Sequence, residues 1–488
     1  MRVTRTVLAT ATVLAAAAVC TPLLAAPSAA AASAKLADDF NGDGYRDFVM
    51  LGGAHGKDGR VTVVYGTSTG PGTRVQTIHQ DSPGIPGAVE QGDDWGFAAT
   101  SADLDGDGYA DLVVASPGED VGDIQGRGGL TVVWGGAKGL GSGTVFHSPV
   151  APEYPGQGDQ FGLDVVAGDF DGDGDQDLTA LSGSRAGAVL LKGPFTRTGG
   201  RGGWQSLGDG YGYLDASQLV AGRVTADAAT DLYILGRDLQ GGYDDVDLRA
   251  YFHRGGSDFT RRAGEMRVPD DGGHQIGGGP ITTIGDFDKD GYGDLAIGRG
   301  YEQPDGERGY VTVQYGGSTG PSTARKPLKF TQDTAGVPGS SENEDYFGAA
   351  AAVAAGDVNG DGYADLAIGA PGEDLAGKRQ AGMVTVLLGR AGGLSGSGAK
   401  AYDQSTSGIA GAVENDDYFG RNLKLTDYTR DGRADLMVDT NDWLDNTRSG
   451  LVHMLKGSTS GTTGTGSKSY TVISLKLSYT TLSGPFTH

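Results

Sequence analysis

Apolar residues along this chain fall in short runs separated by clusters of Gly, Asp, Asn and Ser. Runs such as Leu112-Val113-Val114-Ala115, Leu295-Ala296-Ile297 and Leu366-Ala367-Ile368 are too short for buried helices. They end in Gly or before Pro, so they predict strands buried on both faces. A second kind alternates and ends in glycine, as in Gly129-Leu130-Thr131-Val132-Val133-Trp134-Gly135, Gly309 to Gly316 and Gly382 to Gly389. Ahead of each pair stands an aromatic-glycine step with small residues after it: Trp95-Gly96-Phe97-Ala98-Ala99, Phe161-Gly162-Leu163, Phe347-Gly348-Ala349-Ala350 and Phe419-Gly420. A less regular run, such as Lys326 to Thr331, makes a fourth strand. The stretch Ala349 to Ala355 is helical by propensity. Its register matches Ala98 to Ala102 and Val165 to Gly168, so it too is expected to be the innermost strand of a unit.

The polar segments are as regular as the apolar ones. Between the first and second runs lies Asp103-Leu104-Asp105-Gly106-Asp107-Gly108-Tyr109-Ala110-Asp111-Leu112, and related segments start at Asp39, Asp169, Arg223, Asp286, Asp357 and Asp427. Successive spacings are 64, 66, 54, 63, 71 and 70 residues, a period that suits a four-stranded blade with long loops. The expected fold is all-β, a seven-bladed β-propeller of four-stranded antiparallel blades whose hairpin loops bind Ca²⁺, formed as one domain by residues 35–488.

The loops carry the first candidate chemistry. Carboxylate or amide oxygens at positions 1, 3, 5 and 9, with a main-chain carbonyl at 7 and glycines at the bends, make the oxygen-only cage that Ca²⁺ takes. Five copies are complete: Asp39, Asn41, Asp43, Tyr45 and Asp47; Asp103, Asp105, Asp107, Tyr109 and Asp111; Asp169, Asp171, Asp173, Asp175 and Asp177; Asp286, Asp288, Asp290, Tyr292 and Asp294; Asp357, Asn359, Asp361, Tyr363 and Asp365. One such turn alone is an ordinary solvated hairpin. Five in phase predict about five structural Ca²⁺ ions. The copy at Arg223 keeps acids only at Asp227 and Asp231 and is expected to be metal-free. The seventh keeps Asp427, Asp431 and Asp435 but has Thr429 at position 3 and Arg433 at 7, a weak site.

Composition narrows the setting. Residues 1–34 read as a secretory leader, with Arg2 and Arg5, an apolar run from Val7 to Val19 and a small-residue end at Ala32-Ser33-Ala34. Its removal takes the single cysteine, Cys20, and moves the net charge from −24 to −26. So acidic a chain disfavours nucleic acid as a partner. No later stretch is long and apolar enough to span a bilayer, so a secreted, extracellular monomer without membrane insertion is expected.

The series of aromatic-glycine steps, Asp loops and Gly369-Ala370-Pro371 resembles the FG-GAP repeats of the integrin α-subunit propeller, in a secreted bacterial version. Phe347-Gly348 and Gly369-Ala370-Pro371 supply the two halves of that signature around Asp357. The resemblance covers about residues 35 to 475. It implies Ca²⁺ in hairpins on one face, binding by loops on the opposite face, and a role in cell adhesion or carbohydrate binding. The first repeat departs from the pattern, having no aromatic-glycine step. The tail from Ser469 to Phe486 is a candidate for the missing strand that closes the ring.

Candidate ligand residues lie in loops expected opposite the hairpins. One set precedes the aromatic-glycine steps: Glu90 with Asp93, Asp94 and Trp95; Glu342 with Glu344, Asp345 and Tyr346; Glu414 with Asp416, Asp417 and Tyr418. The other follows the second strands: Glu119 and Asp120, Glu302 and Asp305, Glu373 and Asp374. Acids beside aromatics suit sugar hydroxyls and ring faces, or basic protein patches; the plainer reading is solvated turns with aromatics packed between blades. Two GxSxG matches, at Gly66–Gly70 and Gly316–Gly320, fall at turns after third strands with no following helix, unlike a nucleophile elbow. Asp403-Gln404-Ser405-Thr406-Ser407 matches the linkers at Gln80 and Gln332 and reads as a loop. The seven histidines show no metal spacing. No catalytic constellation emerges, and the expected function is an extracellular binding or adhesion module for a glycan or protein. A propeller-type polysaccharide lyase or hydrolase, and a structural surface protein, are the alternatives.

Overall fold

The computed structural model describes Met1 and residues 36–52, 59–183, 187–208, 214–238, 247–268, 282–300, 308–349, 352–443, 449–479, 481–482 and 484–487. The leader beyond Met1, and the pair Glu302 and Asp305, lie outside the described residues. Seven antiparallel sheets follow one another in chain order: blade 1 over residues 48–78, then blades 2 to 7 over 99–146, 165–206, 214–268, 282–330, 353–402 and 423–471. Among the described residues there is no helix. Val353–Gly356 is a strand paired with Asp365–Ala370. Tertiary pairing thus overrides the alanine-rich propensity there.

Central strands such as Asp111–Ser116 and Gly129–Val133 are buried on both sides because each blade packs against two others, while an outermost strand such as Gly203–Ser206 is largely exposed. In Asp111–Ser116, Leu112 and Val114 face the core shared with blade 1, while Val113 and Ala115 face the core shared with blade 3. Seven apolar clusters result, each between two consecutive blades, with the last joining blade 7 to blade 1. The aromatic-glycine steps are wedges in these cores: Trp95, Phe161, Phe347 and Phe419 are all buried. So is the second residue of every Asp loop, Phe40, Leu104, Phe170, Val224, Phe287, Val358 and Tyr428.

Blade 1 corrects the expectation of four strands throughout. It has three, Phe48–Gly52, Arg60–Val64 and Val75–Ile78, because its Asp loop is preceded by no strand among the described residues. Ser469–Thr471 belong to the outermost strand of blade 7. The chain beyond them runs back to blade 1, where Leu51 N–H donates to Pro485 O (3.0 Å), Phe486 bridges Met50, and the Phe486 ring meets Phe48 edge-on at 5.0 Å.

Candidate metal centres

In blades 2 to 7 the Asp loop is a hairpin between the first and second strands, and in blade 1 it leads into Phe48–Gly52, the counterpart of those second strands, so all seven lie on one face of the ring. Position 1 organises the turn. Asp103 accepts from Asp107 N–H at Oδ1 (3.1 Å) and from Gly108 N–H at Oδ2 (3.0 Å). The same two bonds recur at Asp39, Asp286, Asp357 and Asp427 within 2.7–3.2 Å. Position 5 then accepts from the N–H of position 7, as Asp107 does from Tyr109 (3.1 Å). Gly106 and Gly108 sit at φ 68° and 94°, where a side chain would be strained.

Position 9 performs a second task. One oxygen of Asp111 accepts from Leu104 N–H (2.9 Å) and the other from Gly135 N–H (2.8 Å), beyond the end of the third strand. All seven blades make the latter bond at 2.7–3.1 Å, from Gly66, Gly135, Gly193, Gly255, Gly316, Gly389 and Gly457. The loops also hold neighbouring blades. The position-1 carbonyl of one loop accepts from position 8 of the next, Asp39 O from Ala110 N–H (3.1 Å) and Asp357 O from Ala434 N–H (2.7 Å).

Convergence of carboxylates has an electrostatic cost. Burial pushes Asp47 up to about 8, Asp111, Asp294 and Asp365 to about 7 and Asp177 to about 6. The main-chain N–H bonds oppose that rise and the other loop acids add to it. Oxygens of Asp103, Asp105 and Asp111 lie within 4.8 Å of one another, as do those of Asp169, Asp171 and Asp177, and of Asp286, Asp288 and Asp290. Asp105 Oδ1 is buried with no hydrogen-bond partner. These all-oxygen sets, with an orphaned acceptor, fit a hard divalent cation.

The sequence did not reveal the basic side chains beside these loops. Arg197 pairs with Asp105 (2.7 Å) and Asp107 (2.6 Å), Lys192 with Asp171 (2.8 Å), and Arg325 with Asp288. Arg197 and Arg325 come from segments after the third strand and Lys192 from the end of one, all remote in sequence from the acids they meet. In the weak seventh loop Arg433 pairs with Asp431 (2.7 Å). In blade 4 Arg254 holds Asp227 (2.9 Å), and Thr225 gives both N–H and Oγ1–H to Asp231.

On the opposite face the candidate ligand residues divide. Trp95 is 2% exposed and packed in the core between blades 1 and 2, which withdraws its ring from any ligand. Asp93, Asp345 and Asp417 are buried, each accepting from the main chain three residues earlier. Glu119 and Glu373 tie blades together through Gln80 and Gln332, both at 2.6 Å. Tyr346 and Tyr418 are partly buried, and Glu90, Asp120 and Asp374 are exposed. Two aromatics absent from the sequence-based selection are the most open on this face, Tyr154 at 57% and Trp443 at 58% exposure. Their signal was departure from the repeat: Trp443 stands eight residues after Asp435, where blades 2 and 6 place Glu119 and Glu373.

The family model described as FG-GAP repeat matches residues 95–134, 278–313 and 349–387, and the FG-GAP-like repeat model matches 39–114. The chain carries FG-GAP repeats. Integrin alpha-PS2 of Drosophila melanogaster is 30% identical to it over 226 residues, or 44% of this chain. The match spans about 15% of that much longer protein. The crystal structure of the V. cholerae biofilm matrix protein Bap1 aligns with 93% of this chain and 81% of its own at 11% identity. Its TM-score of 0.22 is too low to bear on the fold.

Proposed function

We propose that this protein is a secreted, Ca²⁺-stabilised propeller that binds an extracellular protein or glycan through the loops opposite its Asp hairpins. The observation that carries the reading is the contrast between the two faces. The hairpin face keeps the position-9 bond to the end of the third strand in all seven blades, as a scaffold does, while the other face, among the described residues, repeats its ties in only three blades and bares Tyr154 and Trp443. Rigid rings that present divergent loops are suited to recognition. Ca²⁺ would be held by the five complete loops, where it offsets the mutual repulsion of their acids and orders the carbonyls that join neighbouring blades. The reading takes residues 1–34 as the leader and the stretch around Phe486 as the clasp that completes blade 1.

Arrays of glycans and of extracellular matrix proteins, probed with the full mature chain in Ca²⁺, test this directly. Binding in one array is expected, reduced at least tenfold by Tyr154→Ala or Trp443→Ala with an unchanged melting temperature. Absence of a ligand in both arrays, together with cleavage of a polysaccharide, would replace the binding reading by the enzymatic one.

A further inference from the structure

The face opposite the hairpins repeats one tie three times. A glutamine following the outermost strand of one blade donates from Nε2 to an acid of the next: Gln80 to Glu119, Gln332 to Glu373 and Gln404 to Asp442. In blades 2 and 6 the bond is 2.6 Å long and joins Gln to Glu. Blade 7 differs, because its acid is an aspartate, one carbon shorter, and the bond lengthens to 3.1 Å. Here alone among the three ties, within the described residues, carboxylate oxygens gather: those of Glu414, Asp417 and Asp442 lie within 4.8 Å of one another.

A second observation points into the same place. Gln404 is only 5% exposed and its carboxamide lies against Asp442, yet its Oε1 has no hydrogen-bond partner. An acceptor buried in this way is costly unless something positive meets it. Asp417 and Asp442 are themselves buried, and among the described residues none of the three acids is in a Lys or Arg ion pair, unlike the acids of the blade 2, 3 and 5 hairpins. We infer that Glu414, Asp417, Asp442 and Gln404 Oε1 form a divalent-cation site, separate from the hairpin loops and on the opposite face. An all-oxygen set with one exposed member, Glu414, suits Ca²⁺ with positions left open to solvent.

Native mass spectrometry of the full mature chain in Ca²⁺ tests the site by difference. The double variant Glu414→Gln with Asp442→Asn should hold one Ca²⁺ fewer than the parent while melting at the same temperature in EDTA. Glu119→Gln, at the equivalent tie of blade 2, should leave the count unchanged. An equal count in the double variant and the parent overturns the site. Should the double variant fail to fold, the single variant Glu414→Gln, at an exposed position, decides: one Ca²⁺ fewer than the parent is expected, and an equal count rejects the proposal. A low ion count in the parent would speak against the hairpin sites, whereas this site is read from the difference of one.

Discussion

At the scale of single residues, position 9 of the Asp loop is the least obvious part of the design. Sequence alone marks Asp47, Asp111, Asp177, Asp294 and Asp365 as metal ligands, and gives no sign that the same carboxylates join the hairpin to the third strand. That partner is a main-chain N–H about twenty residues away, and main-chain donors leave no trace in residue type. Blade 4 separates the two tasks, because it keeps Asp231 while Arg223 and Thr225 stand at positions 1 and 3. Asp231→Ala would orphan Thr225 N–H, Thr225 Oγ1–H and Gly255 N–H. A loss of roughly 3 kcal/mol is expected, the same in EDTA and in Ca²⁺ when measured by chemical denaturation. Asp103→Ala should instead cost about 3 kcal/mol more in saturating Ca²⁺ than in EDTA. A Ca²⁺-dependent penalty at Asp231 would contradict this division.

At the scale of the element, the strands were legible because both signals that specify them are local: apolar runs of strand length and glycine at their ends. The glycine after each third strand has a tighter reason than turn formation. A Cβ on Gly135 would stand 2.1 Å from Ala110 O, and at the equivalent glycines of the other six blades it would meet the corresponding carbonyl at 2.2–2.6 Å. Gly135→Ala must therefore push the third strand away from the hairpin and weaken the bond to Asp111. The expected cost is about 2 kcal/mol, seen as a lower denaturation midpoint with an unchanged slope; a neutral substitution would show that the close approach is not needed. Less legible were the aromatics. Trp95 looked like a ligand contact because its neighbours are acidic, but the aromatic-glycine register places it with Phe161, Phe347 and Phe419 in the inter-blade cores.

At the scale of the whole molecule, the ring was countable from seven phased loops, and its completion was not. Blade 1 lacks a first strand of its own, and only the folded chain brings Pro485 and Phe486 to Leu51 and Met50, more than 400 residues away in sequence. Such contacts follow from topology and carry no local pattern. The same holds for Arg197 and Arg325 beside the acids they neutralise. On the proposed reading, loops crowded with carboxylates, and bonded from blade to blade, would hold their shape through the divalent cations they bind. Each site loaded at about a hundred times its dissociation constant would add ~2.7 kcal/mol, and five would add on the order of 13 kcal/mol, comparable with the whole stability of an ordinary domain. The most direct test is thermal unfolding of the mature chain in EDTA and in millimolar Ca²⁺. A melting temperature higher by at least 10 °C in Ca²⁺ is expected, and superimposable curves would contradict the account.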